Sequence, residues 1–277
     1  MKRTLVSLSL AALGTMGAGS SFAYGISFGQ DANGAEDRIL ALTPNSTTAQ
    51  LVFLNGLSAP RVEDFELQGT GSGDRALKFG VGTNREVKAT LTGGGEVVKM
   101  PCPPLALSCL DSERVPVEGR YSVPGGVSAG IKFWQATAPK DGGTAFSIKF
   151  DFDVEAFGFF GIDIGDFGGT LAVDVLDKAG IWKTVRTVDP LAAPVNGVVE
   201  AAFGSVLYLG IRAVTPGELF HEVRFSLSGG SADDAFAFDS FTVVGAPQTG
   251  GNGVPEPGSL ALVSLALLGL GMARRRA

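Results

Sequence analysis

The chain has 277 residues, 40 of them glycine, 19 phenylalanine and only three tyrosine, with a formal net charge of −6 at pH 7. An acidic surface repels phosphate backbones, so the composition argues against nucleic-acid binding. A single histidine excludes a metal centre built from clustered imidazoles.

In chain order, MKRTLVSLSLAALGTMGAGSSFA comes first: Lys2 and Arg3, an apolar run from Leu5 to Leu13, then small residues. Small side chains at Ser21 and Ala23 complete the layout of a secretory signal peptide over residues 1–23, cleaved after Ala23. The body that follows, residues 24–245, is almost entirely period two. AQLVFLNGL, RVEDFELQ, RALKFGV and EVKATLTG read as short strands. PCPPLALSCLD contains the only two cysteines; in an oxidising compartment Cys102 and Cys109 are expected to pair across a tight loop.

AFSIKFDFDV alternates strictly, with Phe146, Ile148, Phe150, Phe152 and Val154 on one face and Ser147, Lys149, Asp151 and Asp153 on the other. Beyond it, in AFGFFGIDIG, Phe157 and Phe159 share one parity and Phe160, Ile162 and Ile164 the other. Either this strand is buried on both faces or a bulge near Gly158 or Gly161 re-aims it. LAVDVLDKAGIWKTV reads as two strands around a turn at Asp177 to Gly180. SVLYLGIRAV, HEVRFSL and AFAFDSFTVV complete the set, and no helical stripe is expected between the two chain ends. Many short strands with Gly-rich turns define an all-β class, a β-sandwich of jelly-roll type.

Several side chains are candidates for function. His221 shares a parity with Val223, Phe225 and Leu227, which reads as a core-rim residue, and no Gly-x-Ser-x-Gly elbow accompanies it. The body therefore reads as noncatalytic, with a hydrolase using paired carboxylates as the alternative. Calcium takes oxygen ligands in flexible geometry, and Asp233, Asp234 and Asp239 lie close in sequence at the last strand. Glu63, with Asp64 and Glu66 as alternates, would supply the early partner that galactose-binding-like jelly rolls use. The parity break around Asp239 predicts a local irregularity there. Among Trp134, Trp182 and Tyr121, only Trp182 has a setting suited to stacking on a sugar ring; core packing is the rival role for it as for Trp134. Ice binding would favour flat arrays of threonine, and the threonines here are scattered.

The C-terminus has three parts. Residues 246–253 are rich in Gly, Pro and Asn and read as a linker. Val254-Pro255-Glu256-Pro257 follows, then an uncharged run from Gly258 to Ala273 and Arg274, Arg275 and Arg276. A helix of that length rises ~24 Å, enough for a short membrane span with its arginines on the cytoplasmic side. The order of triplet, span and basic cluster over 254–277 resembles the PEP-CTERM sorting tail of Gram-negative bacteria. That resemblance implies an exosortase as partner, a membrane-embedded cysteine transpeptidase that cuts near the triplet. It implies transient anchoring in the inner membrane and delivery to the cell surface or extracellular matrix. The stretch from Arg61 to Val244 also resembles the all-β body found in many PEP-CTERM proteins, with Ala235 and Ala237 at positions where that body carries glycine. By analogy with such systems, the expected ligand is an extracellular polysaccharide.

Overall fold

The computed structural model describes residues 24–33, 39–81, 86–101, 117, 119–123, 130–164, 169–188, 204–229 and 234–246. Residues 1–23, where a signal peptide is expected, both cysteines, Asp233 and residues 247–277 lie outside the described residues. The described residues form thirteen strands, β1 to β13, and one α-helix, α1.

One strand organises the rest. β8 (Gly143–Ile162) is 20 residues long and belongs to two sheets in succession. Its first half pairs with β12 (Phe220–Gly229) on one side and β5 (Val87–Gly93) on the other. Outside these lie β9 (Gly169–Asp177) and β10 (Trp182–Val188) at one edge, and β4 (Arg75–Phe79) at the other. The second half of β8 pairs with β11 (Val206–Arg212) and β13 (Ala235–Gly245). β1 (Gly25–Asp31) completes that sheet beyond β11. Past β13 come β7 (Lys132–Thr137) and β2 (Arg61–Glu63), sharing its edge in tandem. β6 (Gly95–Lys99) and the short β3 (Gly71–Ser72) follow. The chain from β11 into β12 runs alongside β8 throughout, leaving it only for residues 213–219 near Val154. The two halves thus fold toward each other along a line through Val154.

Between the sheets sits a phenylalanine core. Phe146 stacks on Phe225 at 4.2 Å and meets Phe238 edge-on at 4.8 Å, while Phe159 approaches Phe225 at 5.0 Å. Phe157 and Phe65 both contact Phe241. A ring without a hydroxyl can be buried here without a hydrogen-bond partner, which suits Phe rather than Tyr.

The parity shift in β8 has a direct cause. Its pairing with β11 runs unbroken from Ala156 to Ile162, so no bulge interrupts it. Phe157 and Phe159 face the inter-sheet core, while Ala156, Phe160 and Ile162 face a second apolar layer with Phe53, Tyr121 and Tyr208. The strand is buried on both faces. Register shifts fall elsewhere: earlier in β8, between Lys149 and Ala156, where its core-facing positions change from even to odd, and on neighbouring β13 between Asp239 and Thr242, where Ser240 has φ +50°. The irregularity expected at Asp239 is present.

The covering layer contains the one helix, α1 (Pro44–Leu54). Part of AQLVFLNGL is therefore helical rather than extended. Its inward positions, Ser46, Ala49, Gln50 and Phe53, have helical spacing, but only Phe53 is large and apolar, which hides the stripe. Its N-terminus is capped from a distance. The Asp31 carboxylate accepts from the backbone N–H groups of Asn45 and Ser46, each at 2.9 Å, and from Ser46 Oγ at 2.7 Å. Phe53 lies over Gly158 and Gly210, and any side chain at Gly210 would overlap its ring.

Among the described residues, no helix is long and apolar enough to cross a membrane.

Gly210→Val is therefore expected to destabilise the body by about 1–3 kcal/mol, the range for overpacking a close-packed interior. Urea unfolding should show a lower midpoint at unchanged slope. Wild-type stability in this variant would mean that α1 is not seated on the glycines.

Candidate functional site

Two sites merit description, one buried under the covering layer and one on the solvent face of the first sheet. The buried one centres on Asp239, fully enclosed at the β13 irregularity. Its Oδ2 accepts from Ser122 Oγ at 2.8 Å and from the Val123 N–H at 3.0 Å, and its Oδ1 accepts from the Ser240 N–H at 2.6 Å. Burial pushes this carboxyl up to about 7 against the pull of those three donors, and the charge of nearby Asp64 adds to the rise. Close by, Asp163 has φ +63° and accepts from the Gly204 N–H at 2.7 Å. Arg120 lies 4.0 Å from Asp163, donates to Gln135 Oε1 at 2.9 Å, and reaches the Ala235 carbonyl. Tyr121 donates its hydroxyl to the Gly204 carbonyl at 2.8 Å. Together these contacts fasten residues 119–123 onto the outer face of the second sheet.

This arrangement revises the calcium ligand set. Asp234 stands five positions before Asp239 along an extended segment, roughly 16 Å away. Its carboxylate accepts from the Ala235 N–H. Glu63 accepts from the N–H groups of Phe65 and Lys78 and from Gln68 Nε2, and burial raises its pKa. Glu66, the other alternate, accepts from the N–H groups of Ile131 and Lys132. Only Asp64 is brought electrostatically close to Asp239. Among the described residues, no group of three or more His, Cys, Asp or Glu side chains is placed to hold a metal ion.

His221 is half-buried at the rim of the core; a register shift between Phe220 and Glu222 turns Phe220 inward beside it, and His221 Nδ1 lies 3.8 Å from Asp153 Oδ1. Trp134 and Tyr121 are fully buried, which removes both from sugar stacking.

Trp182 is half-buried, at the start of edge strand β10. The Arg224 guanidinium lies 4.0 Å from the centroid of its ring. Arg224 is itself fixed, donating from Nε at 3.2 Å and Nη2 at 3.1 Å to Asp174 Oδ2. Thr184 Oγ1 donates to Asp174 Oδ1 at 2.6 Å. Register explains the chain of contacts: Thr184, Asp174, Arg224, Ser147 and Thr92 form one row across five strands. The adjacent row runs Trp182, Leu176, Glu222, Lys149 and Thr90. The face is ~19 Å wide and mixes donors, acceptors and one braced aromatic ring. The hairpin around Asp177 to Gly180 makes the Thr184–Asp174 pairing readable from sequence. Arg224 arrives on a distant strand and left no local signal.

The chain carries a PEP-CTERM protein-sorting motif at residues 253–276, on a body that is mostly β-strand. That motif implies export and a membrane-anchored sorting signal that precedes exosortase processing. No curated protein matches the chain. Among solved structures, it is similar to the K2 cleaved adhesin domain of Lys-gingipain, with 12% identity over 68% of this chain and 99% of that one, TM-score 0.37. It is also similar to an exo-beta-agarase, with 13% identity over 68% of this chain and 25% of that one, TM-score 0.35. A family 11 carbohydrate-binding module from Clostridium thermocellum, in complex with a mixed-linked tetrasaccharide, shows 10% identity over 68% and 98%, TM-score 0.22. These likenesses carry no argument about what this chain binds.

The Asp239 site predicts a pH dependence. The unfolded carboxyl titrates at 3.8 and the folded one at about 7, so between these values the native state holds a proton that the unfolded state releases. Its contribution to stability is full below pH 3.8 and is lost as pH rises through 7, a change on the order of a few kcal/mol. Melting temperatures from pH 5 to 8 should fall more steeply in the wild type than in Asp239→Asn. Parallel profiles would show that Asp239 ionises normally.

Proposed function

We propose that this chain is an exported, noncatalytic surface or extracellular-matrix protein that binds polysaccharide across the solvent face of its first sheet. The observation that supports the binding face is Trp182 braced by Arg224, with Asp174 and Thr184 holding the guanidinium. A braced ring loses little conformational freedom when a sugar stacks on it, and the flanking rows offer hydrogen-bond partners for hydroxyls in both senses. The sorting motif supports the destination, since a protein delivered to the outside by exosortase meets extracellular polysaccharide there.

Two of the buried carboxylates are committed to turns. Asp177 accepts from the Ala179 and Ile181 N–H groups and pairs with Lys183 at 2.7 Å. Glu218 accepts from the N–H groups of Val214 and Thr215. These acids close turns, which supports the noncatalytic reading over the hydrolase.

The test is a glycan array followed by calorimetry on the secreted protein. Trp182→Ala should weaken binding about tenfold or more, ~1.4 kcal/mol, with little change in melting temperature. Binding unchanged by Trp182→Ala would move the site elsewhere, and release of shortened sugars would restore the hydrolase. Processing is read separately by intact mass. In cells with exosortase, the mature chain should begin at Tyr24 and lack Arg274 to Arg276; a mass that retains those arginines would leave a simple membrane anchor.

A further inference from the structure

Among the described residues, exposed aliphatic side chains occur on and just before α1 (Leu42, Leu51, Val52), beyond β2 (Leu67), and at one border of the body. The border set is Ile26, Val81, Ile181 and Val214, 39%, 59%, 56% and 67% exposed, which flank the line where the two sheets fold together. Ile26 pairs with Ile211 next to Arg212, and Arg212 pairs with Ala156 of β8. Val214 follows directly and packs near Gly25. Ile181 ends the β9–β10 turn, whose Lys178 N–H donates to the Leu219 carbonyl at 2.9 Å. Val81 belongs to the connection from Phe79 to Val87, and Val87 lies beside Gly245.

The chain leaves the body at this same line. Gly245 pairs with Val154, and the Ala246 N–H donates to the Asp153 carbonyl at 3.1 Å. From there to the uncharged run beginning at Gly258, a fully extended chain covers at most about 40 Å. The arm of the second sheet, from Val154 to Ile162, extends ~26 Å away from the line. Bringing its far end to a bilayer would use most of that reach in running back along the body. The fold line is the part that the tail holds nearest the membrane.

We infer that this border is a lipid-facing surface. While the sorting tail is attached, Ile26, Val81, Ile181 and Val214 rest against the outer leaflet of the inner membrane. Burial of a Val or Ile side chain is favourable, and the tether makes the contact intramolecular, so partial burial suffices. The carboxylates nearest the line have cationic or imidazole neighbours: Glu155 pairs with Arg212 at 3.4 Å, Glu86 with Lys88 at 3.8 Å, and Asp153 lies 3.8 Å from His221, while the exposed Lys178 suits an anionic headgroup. The inference rests on the tail acting as an anchor and is independent of polysaccharide binding. Its consequence is that the Pro255-Glu256-Pro257 region is presented close to the membrane surface, where a membrane-embedded enzyme works.

The test uses the full precursor in vesicles of phosphatidylethanolamine and phosphatidylglycerol. A photoreactive p-benzoylphenylalanine replaces Val214, Val81 or Ile181, or the exposed Leu42 just before α1, whose N-terminus is held by Asp31 level with Ile162 at the far end of the arm. Lipid adducts are expected at the first three positions and not at Leu42. With the probe at Ile181, the pair Val81→Asp and Val214→Asp should abolish the adduct while leaving the melting temperature unchanged. Equal labelling at all positions, no lipid adduct at any, or crosslinks to a second copy of the chain would overturn the inference. So would an adduct at Ile181 that survives the aspartates. Resistance to alkaline extraction reports the anchor itself, so failure of the tail and failure of the border give different results.

Discussion

Both sheets of this body depend on the continuity of β8. A 20-residue strand cannot satisfy its backbone alone, and here each edge is matched by two different partners in succession. Its first half needs one buried face and its second half needs two, so the layers on either side differ in kind. The first sheet keeps a solvated outer face, where Asp174 and Arg224 can sit. The second must be covered, and α1 and the 119–123 segment provide that cover.

Covering a sheet with irregular chain creates a polar problem, since backbone N–H groups are carried into a dry layer. Buried or half-buried carboxylates solve it repeatedly. Asp31 receives the first turn of α1, Asp163 receives Gly204, Asp239 receives Val123, and Glu66 receives Ile131 and Lys132. Part of the acidic character visible in the composition thus serves the interior of the body.

What the sequence made legible follows from how local each feature is. The alternation through AFSIKFDFDV and the hairpin at Asp177 to Gly180 are decided by neighbouring residues, and both stand as read. The parity break at Asp239 was visible for the same reason, whereas its partners Ser122 and Val123 lie more than a hundred positions away. Helix α1 was missed because its buried face is mostly small or polar and its cap is supplied by Asp31. Trp182 could be singled out by type, but its bracing by Arg224 depends on β12 lying beside β9, which no local pattern encodes. The sorting tail is the opposite case. It is read by a membrane enzyme as a linear string, so its information is fully contained in order and spacing.

The position of β13 has a mechanical consequence. It is the last strand before the tail, yet it lies inside its sheet, bonded along one edge to β8 and along the other to β7 and β2. Antiparallel hydrogen bonds stand perpendicular to the strand. A load drawn through the C-terminus along that axis shears both ladders at once instead of opening them bond by bond. A pull on the body would reach the attachment point through the strongest direction of the sheet. The body is thereby suited to bear tension against whatever retains its C-terminus.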